Sequence, residues 1–215
     1  MNEKIERTMK MLEKNNMQPY FCETKEQALE LLKTLIPEGA TVTHGGSTTL
    51  IQLGAGELLS SGGYNYLDRS KCADRDAQQK LYRDSFFADV YLTGSNAVTE
   101  NGELYNVDGN ANRVSAIAFG PKSVIAVVGV NKLVRDLDEA ALRVKTTAAP
   151  KNAVRLGLDT YCAKAGRCVS LSKECPGMTD GCRSEQRICC SYLVSAYQRE
   201  KGRIKVVIVD EELGY

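Results

Sequence analysis

Two spacings of apolar residues alternate along this chain, one typical of helices and one typical of buried strands. Apolar side chains recur every three or four positions over residues 3–16, 24–35 and 137–144, which predicts amphipathic helices. Short apolar or β-branched runs lie between and after them, which predicts strands at 19–22, 40–43, 90–92, 123–128 and 203–210. The last helix is expected to continue as far as Leu156 despite Pro150.

The alternation of strands with helices predicts an α/β fold over residues 1–215, as one domain with a layered, mostly parallel sheet and helices on both faces. Residues 123–128 form the most apolar run, as expected of a strand covered on both sides. A small antiparallel hairpin is expected at Gly102, and a cysteine-rich segment occupies residues 160–192 near the C-terminal end.

Composition and charge narrow the class of protein. The 28 basic and 27 acidic residues give a net charge of +1, which argues against nucleic-acid binding, since that normally needs a clustered positive excess. Residues 1–18 carry charges throughout and lack the apolar segment that a signal peptide contains. No apolar run approaches the ~20 residues of a membrane-spanning helix. We therefore expect a cytoplasmic protein that does not insert into membranes.

The strand at 40–43 leads directly into a glycine- and hydroxyl-rich loop. Two glycines, a serine and a threonine before a helix present backbone N–H groups to an anion, which makes these residues candidates for binding a phosphate or carboxylate: Gly45, Gly46, Ser47 and Thr48. The alternative is a tight turn in which a hydroxyl group caps the following helix.

Residues 88–113 contain three turns of small residues close to predicted strand ends, where open α/β sheets bind ligands, and two of the four carboxylates of this stretch stand in those turns. Glu100 and Asp108 are the candidate catalytic carboxylates. The candidate ligand contacts around them are Thr93, Gly94, Ser95, Asn96, Asn101, Gly109 and Asn110.

His44 is the single histidine of the chain and adjoins the glycine loop. Its ordinary pKa near neutrality makes it a candidate general acid or base. The alternative is a hydrogen-bonded structural histidine, since nothing in the sequence supplies it with a serine or cysteine nucleophile as a partner.

Five motifs, in order, resemble the LUD domain, the lactate-utilisation protein family, whose single-domain form is lactate-utilisation protein C. They are GGSTTL at 45–50, GGYNYLDR at 62–69, TGSNAVTENGELYNVDGNANRV at 93–114, FGPKSVIAVVGVNKLV at 119–134 and AAPKNAVRL at 148–156. The resemblance covers about residues 1–190. It implies the fold of the superfamily of glucosamine-phosphate deaminase, ribose-phosphate isomerase and CoA-transferase. It also implies a part in L-lactate oxidation together with iron–sulfur partner subunits.

That superfamily suggests roles for the two carboxylates. The Glu-Asn-Gly turn at Glu100 is similar to the turn of CoA-transferases whose glutamate forms an acyl-CoA anhydride, and the Asp-Gly turn at Asp108 is comparable to one in the isomerase branch. A plain Asn-Gly hairpin and a turn-capping aspartate are the alternatives. The resemblance supplies no family active-site residues.

Six of the eight cysteines lie within residues 162–190, which in a reducing compartment favours metal or redox chemistry over disulfides. Family members that keep this tail resemble C-x5-C-x2-C-x6-C, and about seven extra residues around Cys175 interrupt that spacing here. The predicted ligands of a zinc ion or an iron–sulfur cluster are Cys162, Cys168, Cys182 and Cys189, with Cys175 as an alternative third ligand. Free or redox-active thiols and disulfides remain alternatives.

Three functions are consistent with the sequence. The first is a component of L-lactate oxidation that binds a small carboxylate or anionic cofactor in a cleft at the sheet end and works with iron–sulfur subunits. The second is a CoA-transferase- or isomerase-like enzyme that uses Glu100 and Asp108. The third is a metal- or redox-binding module built on the cysteines.

Overall fold

A computed structural model describes residues 1–215. Ten strands follow the chain, namely β1 (Gln18–Cys22), β2 (Thr41–His44), β3 (Asn65–Tyr66), β4 (Val90–Thr93), β5 (Ala97–Thr99), β6 (Leu104–Asp108), β7 (Ser123–Gly129), β8 (Leu133–Val134), β9 (Ser191–Ser195) and β10 (Ile204–Val209). The α-helices between them are α1 (Glu3–Lys14), α2 (Lys25–Leu35), α3 (Thr48–Leu53), α4 (Ala55–Ser60), α5 (Arg75–Asp84), α6 (Asn112–Ala118), α7 (Leu137–Arg143), α8 (Ala149–Arg155) and α9 (Tyr161–Ala165).

The main sheet has six strands in the order β1-β10-β7-β4-β2-β3, and every neighbouring pair is parallel. Alternate residues of β7 enter two different cores. Ile125 and Val127 pack with α2, α3 and α4, whereas Val124, Ala126 and Val128 pack with α1 and α6. Because both faces of the strand are buried, its sequence is continuously apolar. The predicted parallel sheet with helices on both faces is confirmed.

The expected hairpin belongs to a larger structure than the sequence predicted. β5 and β6 do pair antiparallel, but β8 joins β5 in parallel and β9 joins β6 antiparallel, giving a four-stranded sheet in the order β8-β5-β6-β9. An isolated two-stranded hairpin is marginally stable. The two added strands supply hydrogen-bonding partners for both of its edges, and α7 and α8 cover an apolar face of the sheet through Ala97, Tyr105 and Val107.

The helix that begins at Leu137 does run past Pro150 and ends at Arg155. Residues Val144–Ala148 form a π-helical turn just before the proline. A proline in a regular helix clashes with the carbonyl four residues earlier and lacks an N–H group. The wider turn relieves that conflict. None of the helices has both the length and the apolar character needed to cross a membrane.

Candidate functional site

A cleft of about 530 Å³ opens at the carboxyl edge of the main sheet. It forms where three neighbouring parallel strands end: the loop after β2 provides Gly46–Thr48, the loop after β4 provides Gly94–Asn96, and the turn after β7 provides Lys132. The end of β6 closes another side with Asp108. This is the position at which open α/β sheets bind ligands.

Nine residues predicted from the glycine-rich turns line this cleft together, although they come from three separate loops. They are Gly46, Ser47, Thr48, Gly94, Ser95, Asn96, Asp108, Gly109 and Asn110. Ser47 also caps α3, because its Oγ accepts a hydrogen bond from the backbone N–H of Leu50 at 3.4 Å. The capping alternative and a position in the cleft are therefore compatible for this residue.

Arg113 holds the residues at the base of the cleft together, because all five of its N–H groups donate hydrogen bonds. Its Nε donates to Asp108 Oδ1 at 2.9 Å, and the other donors reach Asn96 Oδ1 at 2.9 Å and Asn106 Oδ1 at 2.6 Å, as well as the carbonyls of Gly94 and Val107. Asp108 also accepts from the backbone N–H of Val114 at 2.9 Å. The carboxylate is 8% exposed and its charge is matched by Arg113.

The cleft carries more positive than negative charge. Its basic side chains are those of Arg69, Arg113, Lys132, Arg155 and Arg187, whereas Asp108 and Glu185 are its only carboxylates. Arg155 donates to Asn152 and to the hydroxyl of Tyr215. The Arg69 guanidinium lies over the backbone of Gly46, where a side chain would meet it at 3.0 Å, and makes no hydrogen bond or ion pair within the protein.

Lys132 is the most unusual of these cations because it is only 3% exposed and has no carboxylate partner. Its Nζ donates to Thr49 Oγ1 at 2.7 Å, and that hydroxyl donates onward to the carbonyl of Leu213 at 3.1 Å. Burial, followed by repulsion from Arg143 and Arg113, lowers the pKa of Lys132 from 10.5 to about 7. Near neutral pH the amine therefore exchanges between its charged and neutral forms.

Glu100 does not share the cleft with Asp108, contrary to the geometry expected from the sequence. It lies at the turn between β5 and β6, whereas Asp108 ends β6, so the length of that strand separates them by about 14 Å. Glu100 forms ion pairs with Arg7 and, at 3.9 Å, with Lys4, both on α1. The carbonyl of Asn101 accepts from Asn15. The hairpin turn thus attaches the small sheet to α1.

His44 lies outside the cleft and stacks on Tyr66, with ring centroids 5.8 Å apart. Its Nδ1 lies 2.8 Å from the carbonyl of Gly45, which can only accept, so Nε2 accepts from the Tyr66 hydroxyl at 2.7 Å. Burial lowers the pKa of His44. Gly45 and the buried Thr93 lie behind the cleft wall, where Gly45 packs against Arg113 and Thr93 Oγ1 donates to the Gly94 carbonyl at 2.8 Å.

The cysteine tail forms a second cavity beside the cleft. The four predicted ligands, Cys162, Cys168, Cys182 and Cys189, line one small space of about 30 Å³, and Cys175 does not. Four thiolates are the usual donor set of a structural zinc site, in which they converge on one ion. No three cysteine, histidine or carboxylate side chains stand close enough together to hold a single ion, and all eight cysteines are free thiols. Burial and then the charge of Cys162 raise the pKa of Cys189 to about 12.

Sequence reasoning missed the basic residues of the cleft. Lys132 had a recognisable signal in the sequence. It ends the short turn that follows the most apolar strand, and ligand-binding groups are expected at such strand ends. Arg113 stands five residues after Asp108, close to the predicted turn. Arg69 and Arg155 had no such signal, since only the folded chain brings them to the sheet end.

The fold and the cleft together define a class of protein: a parallel α/β protein with a basic cleft at the carboxyl edge of its sheet. The family model of the LUD domain matches residues 5–209. The chain therefore belongs to the LUD domain family.

One solved structure agrees with that fold over nearly its whole length. A DUF162 family protein from Deinococcus radiodurans is 15% identical and aligns over 97% of both chains with a TM-score of 0.53. The eIF2B beta protein from Chaetomium thermophilum aligns over 54% of this chain and 45% of its own, with 17% identity and a TM-score of 0.38. The search of curated proteins found no match.

Proposed function

We propose that this chain is a component of L-lactate utilisation whose cleft binds a small carboxylate or an anionic cofactor. The observation that carries the proposal is the charge of the cleft: five basic side chains face two carboxylates, and one of those carboxylates is already paired with Arg113. Membership of the LUD domain family supports the metabolic setting.

Two cations are available to a ligand. Arg69 has no partner within the protein, and Lys132 has only a neutral hydroxyl as its acceptor. An anion between them would bind to Arg69 and favour the charged form of Lys132. A cleft of about 530 Å³ is within the range of sites for drug-sized molecules. It therefore leaves room for an anionic cofactor beside a three-carbon acid.

Isothermal titration calorimetry with sulfate, L-lactate and pyruvate tests the cleft directly. Loss of a charge-assisted hydrogen bond weakens binding by about tenfold or more, so Arg69→Gln and Lys132→Met should each weaken the anion that binds by that factor. Arg75→Gln is the matched control, because Arg75 is exposed and lies outside the cleft. Equal affinity in all four proteins, or no binding of any of the three anions, would reject the proposal.

The second part of the proposal concerns partners: iron–sulfur oxidoreductase subunits that carry the electrons. Affinity purification of the tagged chain from its own cells should recover such subunits, identified by mass spectrometry and by their visible absorption. Recovery of the chain alone, at native expression level and in low salt, would count against a multi-subunit oxidoreductase.

A second candidate function is an isomerase- or CoA-transferase-like enzyme. Lys132 favours acid–base chemistry, because a group that is partly neutral near pH 7 can accept a proton from a bound substrate. The distance of Glu100 from the cleft disfavours a glutamyl anhydride there. Solvent deuterium exchange into the C2 position of a sugar phosphate, followed by NMR, should occur only with Lys132 intact and should survive Glu100→Gln. No exchange in the parent protein would rule out the isomerase.

A further inference from the structure

Lys132 is the only lysine that lines the anion cleft, and its amine is held at the cleft wall. The residue is 3% exposed and shares the cleft lining with Ser47 and Thr48. Its Nζ donates to Thr49 Oγ1 at 2.7 Å, and Thr49 directly follows Thr48 in the chain. No carboxylate lies close enough to pair with the amine. A buried amine without such a partner is costly to keep charged.

The hydrogen bonds around Thr49 leave the lone pair of a neutral Lys132 amine free. Thr49 Oγ1 lies 3.1 Å from the carbonyl of Leu213, which can only accept, so the hydroxyl proton is directed to that carbonyl. The hydroxyl oxygen therefore accepts an N–H group of Lys132 in both protonation states of the amine. Because this bond uses a proton of the nitrogen and not its lone pair, the neutral amine retains its nucleophile.

The other buried lysine, Lys145, is bound in a different way. Its Nζ donates to Ser170 Oγ at 3.0 Å and to the Gly177 carbonyl at 2.6 Å. It lines the cysteine cavity and lies outside the anion cleft. Two acceptors fix this amine between loops and give it a structural role. Burial alone therefore does not distinguish Lys132, whereas a single neutral acceptor and a position in the cleft do.

The surroundings of Lys132 favour its neutral form. The segment Leu213–Tyr215 covers the amine so closely that a Cβ added at Gly214 would lie 3.2 Å from Nζ. Burial, and then repulsion from Arg143 and Arg113, lowers the pKa of Lys132 to about 7. An amine with the ordinary lysine pKa of about 10.4 is neutral in fewer than about one molecule in a thousand at pH 7. At the same pH, Lys132 is neutral in about half of the molecules.

We propose that Lys132 binds small 2-oxo acids covalently, through an imine between its Nζ and the carbonyl carbon. The amine nitrogen attacks that carbon, the carbonyl oxygen leaves as water with the two amine protons, and neither an oxidant nor a reductant is consumed. The adjacent carboxylate would bind Arg69, which has no partner within the protein. This inference rests on the proposed function, because the cleft must bind the carboxylate and because oxidation of a 2-hydroxy acid such as L-lactate yields a 2-oxo acid.

Reductive trapping of the full chain with pyruvate and cyanoborohydride at pH 7 tests the imine. Hydride addition to the imine carbon leaves a stable secondary amine, and peptide mapping by mass spectrometry locates the added carboxyethyl group. The exposed Lys10 is the internal reference. We expect at least about tenfold more label on Lys132 than on Lys10, because far more of its amine is neutral. Sulfate should lower the label on Lys132 alone, since a bound anion favours the charged amine.

Acetaldehyde is the matched carbonyl compound without a carboxylate. The ratio of label on Lys132 to label on Lys10 should be about tenfold lower with acetaldehyde than with pyruvate, and Arg69→Gln should lower only the pyruvate ratio. Lys132→Met should remove the preferred site, and Lys10→Met should keep it. Because the ratio is measured within the unaltered protein, the test remains valid if a variant fails to fold.

Equal labelling of Lys132 and Lys10, or the same ratio with both carbonyl compounds, would overturn the proposal. Calorimetry with sulfate on the same preparation separates this failure from a failure of the proposed function. Sulfate that binds in the cleft of a protein without the adduct would reject the covalent step and leave anion binding intact. Absence of both the adduct and anion binding would reject both.

Discussion

Replacing Lys132 with methionine should make the protein more stable at low pH. The amine is buried without a carboxylate partner, and the lowering of its pKa from 10.5 to about 7 corresponds to about 5 kcal/mol against the charged form, at about 1.4 kcal/mol per pKa unit. Methionine fills a similar space without a charge but loses the hydrogen bond to Thr49, which is worth about 1 kcal/mol. We therefore expect a net gain of about 3–4 kcal/mol in the free energy of unfolding at pH 6.

The gain should disappear as the pH rises. Between the lowered pKa of about 7 in the folded state and the ordinary 10.5 of the unfolded chain, the unfolded state binds more protons. The stability of the parent protein therefore rises with pH in this window, relative to the methionine variant. Urea unfolding followed by circular dichroism at pH 6, 8 and 10 measures the difference. Lys10→Met is the control, because Lys10 is exposed and unpaired, and its effect should not depend on pH.

A loss of stability at pH 6 in Lys132→Met, or the same difference at all three pH values, would refute the argument that Lys132 is a buried unpaired cation.

The same linkage between the pKa of Lys132 and its surroundings gives a test of anion binding. An anion bound beside Lys132 should raise its pKa, so sulfate, which does not titrate in this range, should bind with uptake of a proton and more weakly as the pH rises from 7 to 9. Calorimetry in two buffers of different ionisation enthalpy measures that uptake, and Lys132→Met should abolish it.

Three further predictions concern His44, Arg113 and Gly102. The single histidine, His44, should titrate below 6.5 when it is followed by NMR. Because burial lowers its pKa, the folded state should lose stability as the pH falls through that region. A pKa at or above 6.5 would contradict the burial of this side chain. Arg113→Lys should lower the free energy of unfolding by about 2–4 kcal/mol in urea titrations, because a lysine cannot reach all five buried acceptors. Gly102→Ala should lower it by more than about 2 kcal/mol, since its φ is 76° and a Cβ would lie 2.5 Å from the backbone of Met11; Gly39→Ala, with a φ of 74° and open space around it, should cost only the strain.

The local sequence pattern was sufficient to predict those features that one short stretch of the chain determines. The continuous apolar run at 123–128 predicted a strand buried on both sides, and the glycine loops at the ends of β2 and β4 predicted a cleft, because parallel strands bring their carboxyl ends to one edge. The resemblance of the cysteine tail to the family pattern likewise named the four thiols that line the second cavity, and Cys175, its alternative third ligand, does not line it.

Long-range pairing was not predictable from these patterns. β8 has two residues and β9 follows an irregular loop, so neither shows a periodicity of its own, and both become strands by pairing with the hairpin. The basic side chains of the cleft are dispersed from Arg69 to Arg187 along the chain. A net charge of +1 conceals their convergence, because composition averages over the whole surface and a cleft depends on local charge.

The separation of Glu100 from Asp108 follows from the geometry of a hairpin. Both residues stand in turns of small polar residues and look equivalent in the sequence, but β5 leaves the cleft and β6 returns to it. In an antiparallel hairpin the turn lies at one end, whereas the start of the first strand and the end of the second strand lie together at the other end. Glu100 is at that turn, so it can neutralise Arg7 and Lys4 on α1 and still be unable to reach a ligand between Arg69 and Lys132. Of the two carboxylates, only Asp108 lines the cleft.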